Sequence, residues 1–85
     1  MNFYQEIKAQ VHTFILREFL PGETPEALTD SLPLLSSKLL DSLATLRLVA
    51  YLEETFGFEF AAHEIGAANL DTLDRIAAYV ASKRR

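Results

Sequence analysis

Apolar side chains recur at steps of three or four near the start of the chain, which is the spacing that places them on one face of a helix. The residues at these steps are Phe3, Ile7, Val11 and Phe14. We therefore predict a first helix over residues 2–19. Pro21 and Gly22 follow directly and end it.

The segment from Leu20 to Asp41 shows no such period. It holds all three prolines, together with the turn-forming residues Thr24, Asp30, Ser31, Ser36 and Ser37. We predict a long, mostly irregular connection, and a loop of this length in a small domain normally serves function or mobility. Its apolar residues indicate that it is pinned across the other helices: Leu28, Leu32, Leu34, Leu35, Leu39 and Leu40.

A second helix is predicted from Ser42 to Phe56, ended by Gly57, the residue type that best adopts the left-handed conformation just past a helix. Its apolar residues form two stripes on opposite sides. The stripe predicted to face the core comprises Leu48, Val49, Leu52 and Phe56. The other comprises Leu43, Leu46 and Ala50, flanked by Glu53 and Glu54. This second stripe is either a docking surface or is covered by the third helix or the long loop.

Two further helices complete the prediction. Residues 61–66 form a short third helix closed by Gly66, and a fourth helix begins near Asp71 or Thr72. Its buried stripe contains Leu73, Ile76, Ala77 and Val80. The expected fold is a single all-α domain over residues 1–85, a four-helix bundle with three longer helices, one short third helix and a long loop between helices one and two.

Size and composition limit the function. A chain of 85 residues has little room to enclose an active site, which argues against an enzyme. It has no Cys and only His12 and His63 as histidines, so we expect no metal site. Neither histidine sits in a recognisable catalytic arrangement with a serine. No apolar stretch is long enough to cross a bilayer and no secretion signal is evident, so we expect no membrane insertion and a cytoplasmic location.

The charge is unevenly distributed. The net charge is −4, but three of the eight cations are the last three residues, Lys83, Arg84 and Arg85, so the rest of the chain carries about −7. This field repels nucleic acid and favours partners with basic docking surfaces. It also opposes self-association, so we expect a monomer.

The candidate chemistry lies at the junction between the loop and the second helix. Asp41 and Ser42 stand there, and the positive helix end would stabilise a phosphodiester attached to the Ser42 hydroxyl. The alternative is that Asp41 or Ser42 is only an N-cap.

The order of helix, long loop, LLDSL, LEETFGFEF, short helix and final helix resembles the acyl carrier and peptidyl carrier protein family, over nearly the whole chain. The resemblance implies that Ser42, in the Asp-Ser-Leu motif begun by Asp41, receives 4′-phosphopantetheine from coenzyme A through a separate transferase. The arm would hold acyl intermediates as thioesters for partner enzymes. Leu52, Glu53 and Phe56 match the family's L-E-x-x-F run.

The chain departs from the family pattern in three respects. Lys38 and Leu39 occupy the places where the family usually has Gly, which affects the last loop turn. Fatty-acid carriers tend to have an acidic residue at the position of Ala44 and Glu at that of Arg47, so Arg47 suggests different partners. Alternatively, Arg47 is solvated and paired within its own helix.

The LLDS form of the motif resembles carriers loaded by adenylate-forming ligases, including aminoacyl and D-alanyl carriers, and a ligase is therefore an expected partner. The rival interpretation is an unmodified helical interaction module that binds a partner through Leu43, Leu46 and Ala50. Aromatic residues are read as core and edge packing that leaves little room for a long acyl chain, so we expect a short or exposed cargo. These residues are Tyr51, Phe58, Phe60 and Tyr79.

Overall fold

A computed structural model describes residues 3–83, and these residues form an all-α structure. The elements are α1 (Phe3–Phe19), a 3-10 turn (Pro25–Ala27), α2 (Ser42–Phe56), a second 3-10 turn (Ala62–Glu64), α3 (Ala67–Leu70) and α4 (Leu73–Lys83). The predicted fold class, with three longer helices, a short third helix and a long first loop, is confirmed. Residue 2 of the predicted first helix and the terminal cations Arg84 and Arg85 lie outside the described residues.

The core forms where one face of each long helix meets the others. Ile7, Val11 and Ile15 of α1 have no exposed surface, and α1 packs against α4. The predicted α4 stripe is buried, as is the core-facing stripe of α2. The helical period in the sequence therefore identified the buried faces of α2 and α4 and, apart from Phe3, which is 36% exposed, that of α1.

Local signals in the sequence set both ends of α2. The Asp41 carboxylate accepts a hydrogen bond of 2.8 Å from the Ala44 N–H, so Asp41 is the N-cap. At the other end Gly57 adopts φ 73°, the left-handed conformation that glycine takes without steric cost. Ser42 is thus the first residue of the helix and is not needed to cap it.

The long loop is pinned to the helices, as predicted. Leu28, Leu34 and Leu40 are buried, whereas Leu39 is 39% exposed. The Lys8 ammonium on α1 lies 2.8 Å from the Asp30 carboxylate and pairs α1 with the loop. Burial and this ion pair hold an otherwise irregular segment in one place.

The predicted bounds of the third helix are wrong. The structure has a 3-10 turn at Ala62–Glu64, and Gly66 precedes α3 instead of closing a helix. The backbone of Gly66 is extended, with φ 169°, and the fully buried Leu70 anchors α3 in the core. The side-chain amide of Asn69 donates to the Glu64 carbonyl and joins the two short elements. The short helix therefore lies closer to the C-terminus than predicted, at the position where it buries Leu70.

The fourth helix begins at Leu73, where the Thr72 hydroxyl accepts a 3.0 Å hydrogen bond from the Arg75 N–H. Of the two predicted caps, Thr72 is therefore the one used. Asp71 instead faces the loop, as described below. No helix within residues 3–83 has the length and apolar character needed to cross a membrane.

Candidate functional site

Ser42 stands exposed at the first turn of α2. Its hydroxyl makes no hydrogen bond to any of residues 3–83, and the cap is supplied by Asp41. The unpaired amides of a first helical turn and the helix macrodipole make this end positive. The structure therefore presents a free hydroxyl at a position that favours an attached anion.

An open cleft of about 620 Å³ lies beside Ser42. Its lining combines loop, α2 and the segment before α3: Leu35, Lys38, Leu40, Asp41, Ser42, Thr45, Leu46, Ile65 and Gly66. Four of these side chains are aliphatic, and Lys38 and Asp41 supply the charges. The cleft is open to solvent, so it can accommodate a group attached to Ser42 without closing over it.

The second apolar stripe of α2 is uncovered. Leu43 is 70% exposed, Leu46 is 55% exposed and Ala50 is also exposed. The alternative in which the third helix or the loop covers this stripe is therefore wrong. This exposed apolar stripe begins one residue after Ser42, and contiguous exposed apolar patches generally mark interaction sites.

The charged residues that flank the stripe differ in their availability. The Arg47 guanidinium donates from Nη2 to the Glu18 carboxylate on α1 at 2.6 Å, and it lies 5.2 Å from the centre of the Phe19 ring. Pairing of Arg47 within its own helix is therefore wrong. Glu53 is half-buried and accepts a 2.8 Å hydrogen bond from the Phe60 N–H. Glu54 is exposed.

Asp71 positions the loop that leads to Ser42, and sequence analysis missed this role. Asp71 is 8% exposed, and its carboxylate accepts hydrogen bonds from the Leu35 N–H, the Ser36 N–H and the Ser36 hydroxyl at 2.8–2.9 Å. The hydrogen bond from the Ser36 N–H is the largest of the causes that lower the pKa of Asp71. Leu40, two residues before Ser42, donates to the Leu34 carbonyl at 2.9 Å and closes the clamped turn.

The same turn contains a residue in an unfavourable conformation. Lys38 has φ 69°, and it is the only non-glycine residue among residues 3–83 with a positive φ. Lys38 occupies one of the two places where the carrier family that the chain resembles usually has Gly. The chain therefore has a lysine where the backbone conformation favours glycine.

The histidines lie away from Ser42. His12 contacts the Pro25 and Leu28 carbonyls through Nε2, at 3.0 and 3.1 Å, and His63 is exposed on the second 3-10 turn. Neither lines the cleft that contains Ser42. The aromatic residues pack as predicted, since Tyr51 stacks on Phe14 with ring centroids 4.0 Å apart. The rings of Phe58, Phe60 and Tyr79 form a second cluster.

Comparison with known proteins agrees with this geometry. A family model described as a phosphopantetheine attachment site matches residues 15–80, which is most of the chain and includes the whole of α2. Comparison with curated proteins gave no match. Domains of the matched family carry covalently attached 4′-phosphopantetheine and are generally non-catalytic carriers. The chain therefore belongs to the phosphopantetheine attachment site family of carrier proteins.

Proposed function

We propose that this chain tethers acyl intermediates on a 4′-phosphopantetheine arm attached at Ser42 and presents them to partner enzymes. The observation that carries the proposal is the Ser42 hydroxyl, which is exposed, free of hydrogen bonds to residues 3–83, and placed at the start of a 15-residue helix. Because Asp41 already caps α2, modification of Ser42 leaves the cap in place.

The residues around Ser42 fit such an arm. When bound, 4′-phosphopantetheine supplies a terminal thiol that holds an acyl group as a thioester. The first turn of α2 stabilises the phosphodiester through its amides and the helix dipole. Tethering gives each partner enzyme a high effective concentration of the cargo, which allows the docking itself to stay weak and exchange to stay rapid.

The chain acts as a carrier and not as a catalyst in this proposal. The cleft beside Ser42 is lined by neither histidine, and the Asp41 carboxylate is used by the helix cap. The partner enzymes therefore supply the chemistry: a phosphopantetheinyl transferase that attaches the arm, and acyl-processing enzymes that act on the cargo. The acidic body of the chain favours a monomer that docks on these enzymes one at a time.

We propose the exposed stripe of Leu43, Leu46 and Ala50 as the docking surface for these enzymes. Leu43 contributes most, because its side chain is 70% exposed and lies next to the attachment point. Glu54 adds a free negative charge at the edge of the stripe. Arg47 and Glu53 border the surface, bonded to the Glu18 carboxylate and the Phe60 N–H, and the half-exposed Arg47 still presents a positive charge beside the stripe.

The docking proposal is tested with Leu43→Ser in transferase kinetics. Burial of a leucine contributes about 1.5–3 kcal/mol, so loss of this contact raises the KM for the carrier about tenfold or more and leaves kcat nearly unchanged. Ala78→Ser, an exposed position on α4, serves as the matched control and leaves KM unchanged. An unchanged KM for Leu43→Ser would remove Leu43 from the docking surface.

We propose an adenylate-forming ligase as the loading enzyme, and an aminoacyl or D-alanyl group is the alternative to an acyl cargo. The LLDS form of the motif supports direct loading. The open cleft and the packed aromatic clusters support a short or exposed cargo. A gene for such a ligase beside the gene for this chain would support direct loading, whereas ketosynthase and reductase genes there would contradict it.

Attachment is tested by intact-mass measurement after the apo-protein is incubated with coenzyme A and a broad-specificity transferase. We expect the mass to increase by one phosphopantetheine in the wild type and to stay unchanged in Ser42→Ala. Ser37→Ala is the matched control, because it removes another exposed hydroxyl from the same segment and should still be modified. No mass increase under conditions that modify a known carrier would favour the unmodified interaction module.

A further inference from the structure

Lys38 differs from every other cation that the structure describes. Each of the other lysines and arginines within residues 3–83 contacts an oxygen of the chain. Lys8 pairs with Asp30 and Asp74, Arg17 and Arg47 pair with Glu18, Lys83 pairs with Glu64, and Arg75 donates to the Ala67 carbonyl. Within the same residues the Lys38 ammonium has no ion pair and no hydrogen bond.

The position of Lys38 makes this absence of a partner informative. Its φ of 69° costs free energy that glycine would avoid, and no hydrogen bond or ion pair of its side chain within residues 3–83 offsets that cost. Non-glycine residues held in this region cluster at functional sites. The side chain is exposed, so its charge is available to a group outside the chain.

The free charge of Lys38 lies at the attachment site. Lys38 and Ser42 line the same cleft, and the only other charged residue in the lining is Asp41. The Asp41 carboxylate already accepts from the Ala44 N–H, within the first turn of α2. Lys38 is therefore the one cation in the lining of the cleft, and its flexible four-carbon stem lets the ammonium follow a ligand attached nearby.

We propose that the Lys38 ammonium binds the phosphodiester at the base of the arm and holds that end of the arm beside the cleft. The proposal rests on attachment at Ser42. A phosphodiester carries one negative charge and is a strong hydrogen-bond acceptor, which matches an unpaired ammonium. The ammonium and the first turn of α2 then both stabilise the phosphodiester. The ammonium also directs the base of the arm towards the cleft.

The test compares holo-proteins by phosphorus NMR, with complete modification first verified by mass. Sodium chloride is raised from about 0.1 M to about 1 M, which shortens the screening length from about 10 Å to about 3 Å. We expect a salt-dependent phosphorus shift in the wild type and in Lys38→Arg, and loss of that dependence in Lys38→Gln. All three side chains keep a β-carbon at this position, so backbone strain is matched among them.

Arg17→Gln controls for a change of net charge, because Arg17 is 62% exposed and does not line the cleft. It should behave as the wild type. An identical salt response in wild type and Lys38→Gln overturns the proposal, and so does an equal loss of the response in Arg17→Gln.

Free coenzyme A distinguishes the tethered phosphodiester from phosphates in solution. It is added to the apo-protein without transferase, at a concentration equal to that of the holo-protein. We expect no shift of the Lys38 side-chain resonances in that sample and a clear shift in the holo-protein. A shift with free coenzyme A would assign the contact to the unattached molecule and overturn the proposal. If the arm is not attached at all, the mass measurement shows no holo-protein before the NMR experiment begins. That result contradicts the proposed attachment and is distinct from failure of the Lys38 contact.

Discussion

The clamp formed by Asp71 makes a quantitative prediction for Asp71→Asn. The carboxylate accepts hydrogen bonds from two backbone N–H groups and one hydroxyl, and it is almost fully buried. Asn keeps the shape and one acceptor oxygen but loses the charge. Hydrogen bonds to a charged group contribute about 1.5–3 kcal/mol each and neutral ones about 1 kcal/mol. Both N–H groups bond the same carboxylate oxygen, Oδ1, which Asn retains, and at the lower end of these ranges each of the two bonds weakens by about 0.5–1 kcal/mol. We therefore expect Asn to lower the free energy of unfolding by about 1–2 kcal/mol.

Urea denaturation measures this change. With a slope of about 1 kcal/mol/M for a small protein, the midpoint should fall by about 1–2 M. Asp71→Ala should cost more, about 2–4 kcal/mol, because it leaves the Leu35 and Ser36 N–H groups without an acceptor. Glu26→Gln, which neutralises an exposed carboxylate in the same loop, should stay within about 0.5 kcal/mol of the wild type.

The pH dependence of the same variants separates charge from packing. Because the pKa of Asp71 is lowered in the folded state, chiefly by the Ser36 N–H, its charge stabilises the fold fully above the ordinary carboxyl pKa of 3.8. That contribution is lost as the pH falls below this value, through the pKa of the folded state. The stability difference between wild type and Asp71→Asn should therefore shrink in acid. A difference that is negligible at neutral pH, or that stays constant into acid, would refute the clamp as described.

Three further predictions concern strain, surface charge and cargo. Lys38→Gly should be more stable than Lys38→Ala by about 1 kcal/mol, which corresponds to about 4–8 °C in Tm, because only glycine relieves the positive φ. Arg47→Glu should cost less than about 1 kcal/mol, since its pair with Glu18 is exposed, and should improve turnover by fatty-acid synthesis enzymes. An attached octanoyl to dodecanoyl chain should leave the NMR shifts of Leu52 and Ile76 in the core nearly unchanged.

Each of these has a contradicting result. Equal melting temperatures for the Gly and Ala variants at position 38 would argue against strain there. An unchanged or slower rate with Arg47→Glu would argue against the interpretation of Arg47 as a determinant of partner choice. Large shifts at the core residues of α2 and α4 on acylation would show that a long chain enters the bundle.

The features that sequence analysis predicted correctly have causes that are local in the chain. The bounds of α2 follow from Asp41 and Gly57, which lie directly at its ends. The buried and exposed faces of α2 follow from the helical period, and the exposure of Ser42 follows from its position at the first turn. Each of these residues lies within a few positions of the feature that it determines, so the feature can be predicted from the sequence.

The features that could not be predicted from the sequence depend on contacts between distant parts of the chain. Asp71 binds Leu35 and Ser36, which precede it by 36 and 35 positions in the chain. Arg47 binds Glu18, which precedes it by 29 positions. Neither pairing leaves a pattern in a single sequence. Gly66 precedes α3 although glycine is enriched mainly just past the ends of helices, and the fully buried Leu70 that anchors α3 has no local signal of that role. The left-handed Lys38 was missed because a lysine gives no signal for a conformation that glycine usually adopts.

Fragment-ion mass spectrometry of the protein isolated from its own cells tests the central claim most directly, because it shows which hydroxyl carries the arm. The account predicts phosphopantetheine on the peptide that contains Ser42, with fragment ions that place it on that residue. Ser36 and Ser37 are also exposed within the same segment and provide the internal comparison. An arm on either of these serines, or a Ser42 peptide found only without modification, would contradict the account.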